Sequence, residues 1–153
     1  MKKKDTRRAR GNAFELWCAA WLTENGWSVH RQQSISRPIP IKGKLIWTSP
    51  RNDILGCADL VAVKPGERVL FVQCTLDSGV TKREEETKVI KWDLSYACVQ
   101  LWADRGKRHI QIKQWTGAAF VDVGKIELRK CYMLERPGPL TEEEHERAKT
   151  LPL

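Results

Sequence analysis

Apolar residues recur at Phe14, Trp17, Cys18, Trp21 and Leu22, a spacing of three and four that puts them on one stripe of a helix. This periodicity predicts a first helix from Asn12 to about Glu24, stopped by "ENG". Beyond it the period changes to two. "WSVHRQQS" reads as a strand, and "RPIPIKGKLIWTS" as a proline-punctuated hairpin or loop leading to a second short strand. "CADLVAV", the turn "KPGE" and "RVLFVQCTL" make the clearest hairpin, and their almost continuous apolar character predicts central strands covered on both faces. The charged run "TKREEETKVIKW" predicts a second helix, with Glu84 placed to pair with Lys88 one turn on. "YACVQLW", "ADRGKR" and "HIQIKQW" read as a further hairpin, and "FVDVGKIELRKCYML" as an edge strand. Past Pro137 and Pro139, Thr141 and Glu144 form a capping-box pattern that predicts a short acidic helix. The order of elements predicts an α/β fold, a mixed sheet with helices on its faces.

A chain of 153 residues, 41% hydrophobic and 30% charged, suits one domain with its own core. The expected division is a basic flexible arm (1–10), a folded domain (11–136) and a tail with the acidic helix (137–153). No apolar run reaches the roughly 18 residues of a membrane span, so no membrane partner and a cytoplasmic location are expected. Five cysteines (Cys18, Cys57, Cys74, Cys98, Cys131) form no CxxC pair and mostly lie in apolar runs, which reads as reduced core residues and not as a zinc or disulfide framework. His30, His109 and His145 show no ligand spacing.

The net charge of +8 points to a polyanionic partner, and its distribution sharpens the point. Lys2, Lys3, Lys4, Arg7, Arg8 and Arg10 against Asp5 place five of those eight charges in the first ten residues. That arm is a candidate phosphate-binding tail or a plain solubilising terminus. Arg37, Lys42 and Lys44 in "RPIPIKGK" are further candidate backbone contacts. Of the seven tryptophans, Trp17 and Trp21 belong to the helix stripe, whereas Trp47 and Trp92 lie outside the strongest patterns and suit base stacking or a buried contact.

Candidate chemistry lies in "ADLVAV" and "VQCT". Asp is depleted in strands and its carboxylate is costly to bury unpaired, yet Asp59 opens one apolar strand and Gln73 lies late in its partner. In an antiparallel hairpin those two ends are neighbours, while residues 73 and 75 share one face and Cys74 points away. Glu15, at the edge of the helix stripe, has the reach to join them. An oxygen cluster of Glu15, Asp59, the Gln73 amide oxygen and the Cys74 carbonyl suits Mg²⁺, with Mn²⁺ as a substitute. Taken singly, Glu15 reads equally as a helix-surface carboxylate, Asp59 as a turn cap and Gln73 as a hydrogen-bonded core amide.

"GNAFELW" with Glu15, "ADLVAV" with Asp59, and "VQCT" together resemble the PD-(D/E)xK nuclease core, and "RARGNAFE" is particularly similar to the opening of archaeal-type Holliday junction resolvases. The resemblance covers roughly residues 7 to 115 and implies a restriction-endonuclease-like core, a homodimer, branched DNA as substrate, divalent metal at the acidic positions and no small-molecule cofactor. Gln73 stands where that family usually has Glu, and Thr75 where it has Lys. The first change removes a charge that Asp53 is placed to restore, and the second removes a cation for which Lys82, Lys88 or Arg83 on the next helix are substitutes. The implied function is metal-dependent cleavage of a four-way junction by paired phosphodiester hydrolysis. Its rivals are another nuclease of the same fold, of restriction or repair type, and a catalytically silent DNA-binding module.

Overall fold

A computed structural model describes residues 6–32, 37–48, 53–106 and 108–128. Helix α1 (Thr6–Glu24) is followed by β1 (Ser28–Arg31), β2 (Arg37–Ile41), β3 (Lys44–Thr48), β4 (Leu60–Val63), β5 (Val69–Leu76), a 3₁₀ turn (Asp77–Gly79), α2 (Val80–Lys88), β6 (Ala97–Asp104), β7 (His109–Trp115) and β8 (Phe120–Glu127). Six strands form one sheet in the order β1-β4-β5-β6-β7-β8, while β2 and β3 make a separate two-stranded ribbon. Every pairing is antiparallel except β5 with β6, which the 3₁₀ turn and α2 join as a crossover. The sheet is therefore mixed, as the strand pattern predicts.

Helix α1 begins at Thr6, ahead of the expected Asn12, so Arg7, Arg8 and Arg10 ride on its first turns and do not belong to a free arm. Residues 6–11 carry no apolar stripe, and tertiary partners hold them instead. Arg7 Nη2 donates to Ser78 Oγ at 2.6 Å, and Arg10 Nη2 pairs with the buried Asp104 Oδ2 at 2.9 Å. The C-terminal end follows the sequence signal. Trp27 N–H bonds back to Leu22 O and Gly26 N–H to Thr23 O, with Gly26 at φ +87°, a Schellman cap that glycine adopts without strain.

The predicted stripe of α1 packs Phe14, Trp17, Cys18, Trp21 and Leu22 against Leu60, Ala62, Leu70, Val72, Cys74, Trp102, Ile110 and Ile112 on one face of the sheet. The Trp21 and Trp102 rings meet edge to face at 5.5 Å. Each fully buried Leu or Ile in this layer contributes about 1.5–3 kcal/mol. On the opposite face a smaller cluster joins Val80 of α2 to Leu101, Ala103 and Phe120. Both faces of β5 and β6 are thus covered, which explains why their sequences do not alternate.

Cys18, Cys57, Cys74 and Cys98 are buried and none is in a disulfide, in line with reduced core residues. Glu84 does not pair with Lys88; it binds Lys113 of β7, and Lys88 Nζ turns to Glu85 at 3.0 Å, because α2 packs against the sheet with Glu84 facing inward. No helix among the described residues is long and apolar enough to cross a membrane. Lys2, Lys3, Lys4, the side chain of Arg37, Cys131, His145 and the expected helix after Pro139 lie outside the described residues.

Candidate active site

The β4–β5 register fixes the centre of the site. Leu60 pairs with Val72, so Asp59 falls opposite Gln73 one step further along the antiparallel ladder. Leu60 and Val72 point into the α1 layer, and alternation turns Asp59 and Gln73 to the other side. Both are buried, at 8% and 3% exposure.

Gln73 Nε2 donates to Asp59 Oδ2 at 2.6 Å and to the Cys74 carbonyl at 3.2 Å, while the Cys74 N–H donates to the same Asp59 oxygen at 2.8 Å. The adjacency of Asp59, Gln73 and Cys74 is the one the sequence predicts, but the atom presented is not. The amide nitrogen, rather than the amide oxygen, faces the carboxylate, because a bare carboxylate needs donors. Gln73 Oε1 is left buried with no hydrogen-bond partner among the described residues. An orphaned buried acceptor of this kind costs about 1–3 kcal/mol.

Burial pushes the Asp59 carboxyl up to about 7, and the like charges of Glu15 and Asp53 add to it; the Cys74 N–H and Arg83 pull it back. Glu15 is raised as well, chiefly by burial, and held down by Arg31, whose Nε lies 3.3 Å from Glu15 Oε2. Asp53 is 3.7 Å from Arg83 Nη1, which also binds Glu86 at 3.1 Å. The site therefore holds three carboxylates in one field, with Arg31 and Arg83 as their counter-charges.

Among the substitutes for the missing lysine, Arg83 is the cation whose charge is felt at Asp59 and Glu15. Lys88 is spent on Glu85, and Lys82 is exposed on α2. Thr75 is buried, its hydroxyl donating to Leu76 O at 3.0 Å, and a Cβ at Gly79 would overlap its Oγ1. The tight fit between Thr75 and the 3₁₀ turn leaves little room for a long side chain at that position.

Two partners escaped the sequence reading. Arg31 of β1 and Asp104 at the end of β6 are distant from the motifs, and no local pattern marks them; only the strand order brings Arg31 to Glu15 and Asp104 to Arg10. Lys42 and Lys44 lie exposed on the ribbon, apart from this cluster. A cleft of about 580 Å³ lined by Asp77, Arg105, His109, Gln111, Asp122, Gly124 and Lys125 contains none of the site residues.

A divalent cation fits the donor set on one condition. Among the described residues no three His, Cys, Asp or Glu side chains converge tightly enough to hold a metal. The amide and carbonyl must contribute, and Gln73 Nε2 stands between Asp59 Oδ2 and Cys74 O. Turning the amide over would set the unpartnered Oε1 against Asp59 Oδ2 and Cys74 O, three acceptors in contact that a cation, or a proton on Asp59, would have to join. No protein-family model, curated protein or solved structure matches this chain.

Proposed function

We propose that the protein is a metal-dependent endonuclease with a restriction-endonuclease-like core, cutting branched DNA as a symmetric homodimer. One observation carries the reading: a buried carboxylate, Asp59, poised near neutrality beside the unpartnered Gln73 Oε1 and within the field of Glu15 and Asp53. Burying a carboxylate among like charges costs stability, and such a cost is typical of a site kept for chemistry. Asp59, Gln73 Oε1, the Cys74 carbonyl and Glu15 are the groups that would hold the ion.

Bound Mg²⁺ supplies Lewis-acid polarisation of a phosphodiester and a lowered pKa for a coordinated water. The chain's own residues do the rest. Arg83 places positive charge beside the carboxylates, where it offsets charge growing on a phosphate during attack, the work that a lysine at position 75 does in the resembled family. Arg31 orients Glu15. The Cys74 N–H fixes one oxygen of Asp59, leaving the carboxylate a single orientation.

A second reading has its own support. Without metal Asp59 takes its donors from the chain itself, Gln73 Nε2 and the Cys74 N–H, as in a DNA-binding module that has lost cleavage. Cleavage of a labelled four-way junction beside linear duplex, in Mg²⁺ or EDTA, separates the alternatives. Paired, metal-dependent nicks confined to the junction support the resolvase; sequence-placed cuts in linear duplex indicate a restriction or repair nuclease. Tight junction binding without cleavage in Mg²⁺ or Mn²⁺ overturns the enzyme.

A further inference from the structure

The β2–β3 ribbon is an anomaly for a protein interior. Its five-residue strands form their own sheet, and Ile39, Ile41, Leu45, Ile46 and Trp47 are 43%, 45%, 70%, 45% and 70% exposed. The register puts Pro38 opposite Trp47 and Pro40 opposite Leu45 on one face, and Ile39 opposite Ile46 on the other. Both faces are therefore apolar, and both are open. An isolated two-stranded ribbon is at best marginally stable in water, so its apolar rungs serve a partner.

Two features narrow that partner. The first is charge: Lys42 at the tip and Lys44 beside it are exposed, and residues 37–48 contain no acidic side chain. The second is the edge. Lys42 (φ +48°) and Gly43 (φ +77°) form a two-residue turn with both φ values positive, so Ile41 and Lys44 are its hydrogen-bonded closing pair. Residues 38 and 40 then present their backbone nitrogens away from β3, and both are proline. That edge has no N–H donor with which to recruit another strand. A basic ribbon with apolar rungs and one blocked edge is complementary to DNA, whose grooves admit a two-stranded ribbon and whose base steps accept apolar wedges.

We propose that the β2–β3 ribbon is a wedge that enters branched or kinked DNA, its Trp47 and Leu45 face stacking on bases that have lost a neighbour while Lys42 and Lys44 hold the flanking phosphates. The inference rests on DNA as the partner in the function above, but not on cleavage. At about 3.4 Å per residue a five-residue strand spans roughly 17 Å, longer than the roughly 12 Å width of a DNA major groove.

The test uses a four-way junction carrying 2-aminopurine at its centre, in EDTA, with linear duplex as the control. The wild type is expected to raise the probe's emission on the junction and not on the duplex. Trp47→Ser and Leu45→Ser should abolish the rise and weaken junction binding about tenfold, with thermal unfolding unchanged because both side chains are already exposed. Lys42→Ala with Lys44→Ala should weaken binding to junction and duplex alike and flatten its salt dependence. Emission and affinity unchanged in Trp47→Ser overturn the wedge, as does conversion of a dimer to a monomer by that substitution, which would make the ribbon a contact between copies of this chain. Wedge-dependent binding without cleavage in any metal defeats the nuclease reading alone. Cleavage that survives Trp47→Ser with full affinity defeats the wedge alone.

Discussion

Replacing Asp59 by Asn removes the charge and keeps the shape. Asn Oδ1 still accepts from Gln73 Nε2 and the Cys74 N–H, the contacts now made at 2.6 and 2.8 Å. The cost of the charge follows from the proton equilibrium. A carboxyl at about 7 in the fold against an ordinary 3.8 makes the native state bind more protons than the unfolded chain between those values. Stability therefore falls as pH rises from about 4 through 7 and levels off above it. At 1.36 kcal/mol per tenfold, the penalty approaches about 4 kcal/mol above pH 8, of which about 2–3 kcal/mol develops between pH 5 and 8. Urea unfolding in EDTA should thus show the wild type losing stability over that interval and Asp59→Asn losing much less. At pH 8 the variant should be the more stable by about 1–3 kcal/mol, a rise of roughly 3–10 °C in Tm. Millimolar Mg²⁺ should stabilise the wild type and leave the variant unmoved. A wild-type stability that is flat or rising from pH 5 to 8, or an Asn variant weaker than wild type at pH 8 without metal, would refute the claim that Asp59 is held under electrostatic strain.

Gln73→Glu sets a second carboxylate where Nε2 now touches Asp59, so the metal-free protein should lose about 2 kcal/mol at pH 8, while calorimetry should register tighter Mg²⁺ binding than in the wild type. Arg10→Ala removes one charged partner of the buried Asp104, the contact at 2.9 Å, and should cost about 1–3 kcal/mol; adding Asp104→Asn in the same chain should recover part of that loss in denaturant titrations. Arg83→Ala should lower the single-turnover rate of junction cleavage by about a hundredfold, whereas Lys82→Ala, on the exposed side of α2, should leave the rate near wild type.

Much of the scaffold was legible because its signals are local. The stripe of α1, its "ENG" cap and the β4–β5 and β6–β7 hairpins each follow from a period or a turn. The neighbourhood of Asp59 and Gln73 followed too, since an antiparallel hairpin fixes which ends meet. Long-range pairings were not legible. Nothing in "TRRARG" predicts a helix, which Ser78 and Asp104 secure from elsewhere in the chain. Glu84 meets Lys113 and not Lys88 because the seating of α2 on β5 and β6 turns it toward the sheet, and a pair along the helix is worth only about 0.5 kcal/mol. The orientation of the Gln73 amide was beyond reach for another reason: it depends on what lies opposite it, a carboxylate or a cation.

That orientation is also the sharpest handle on the site. In a ¹⁵N spectrum the Gln73 side-chain amide should show hydrogen-bonded protons in EDTA, and on titration with Mg²⁺ its two signals should shift together with the Cys74 backbone amide as Nε2 leaves Asp59. The same signals should stay fixed in Asp59→Asn. A Gln73 amide that remains bonded to Asp59 at saturating Mg²⁺, with the Cys74 signal unchanged, would contradict a metal centre built on Asp59, Gln73 and Cys74.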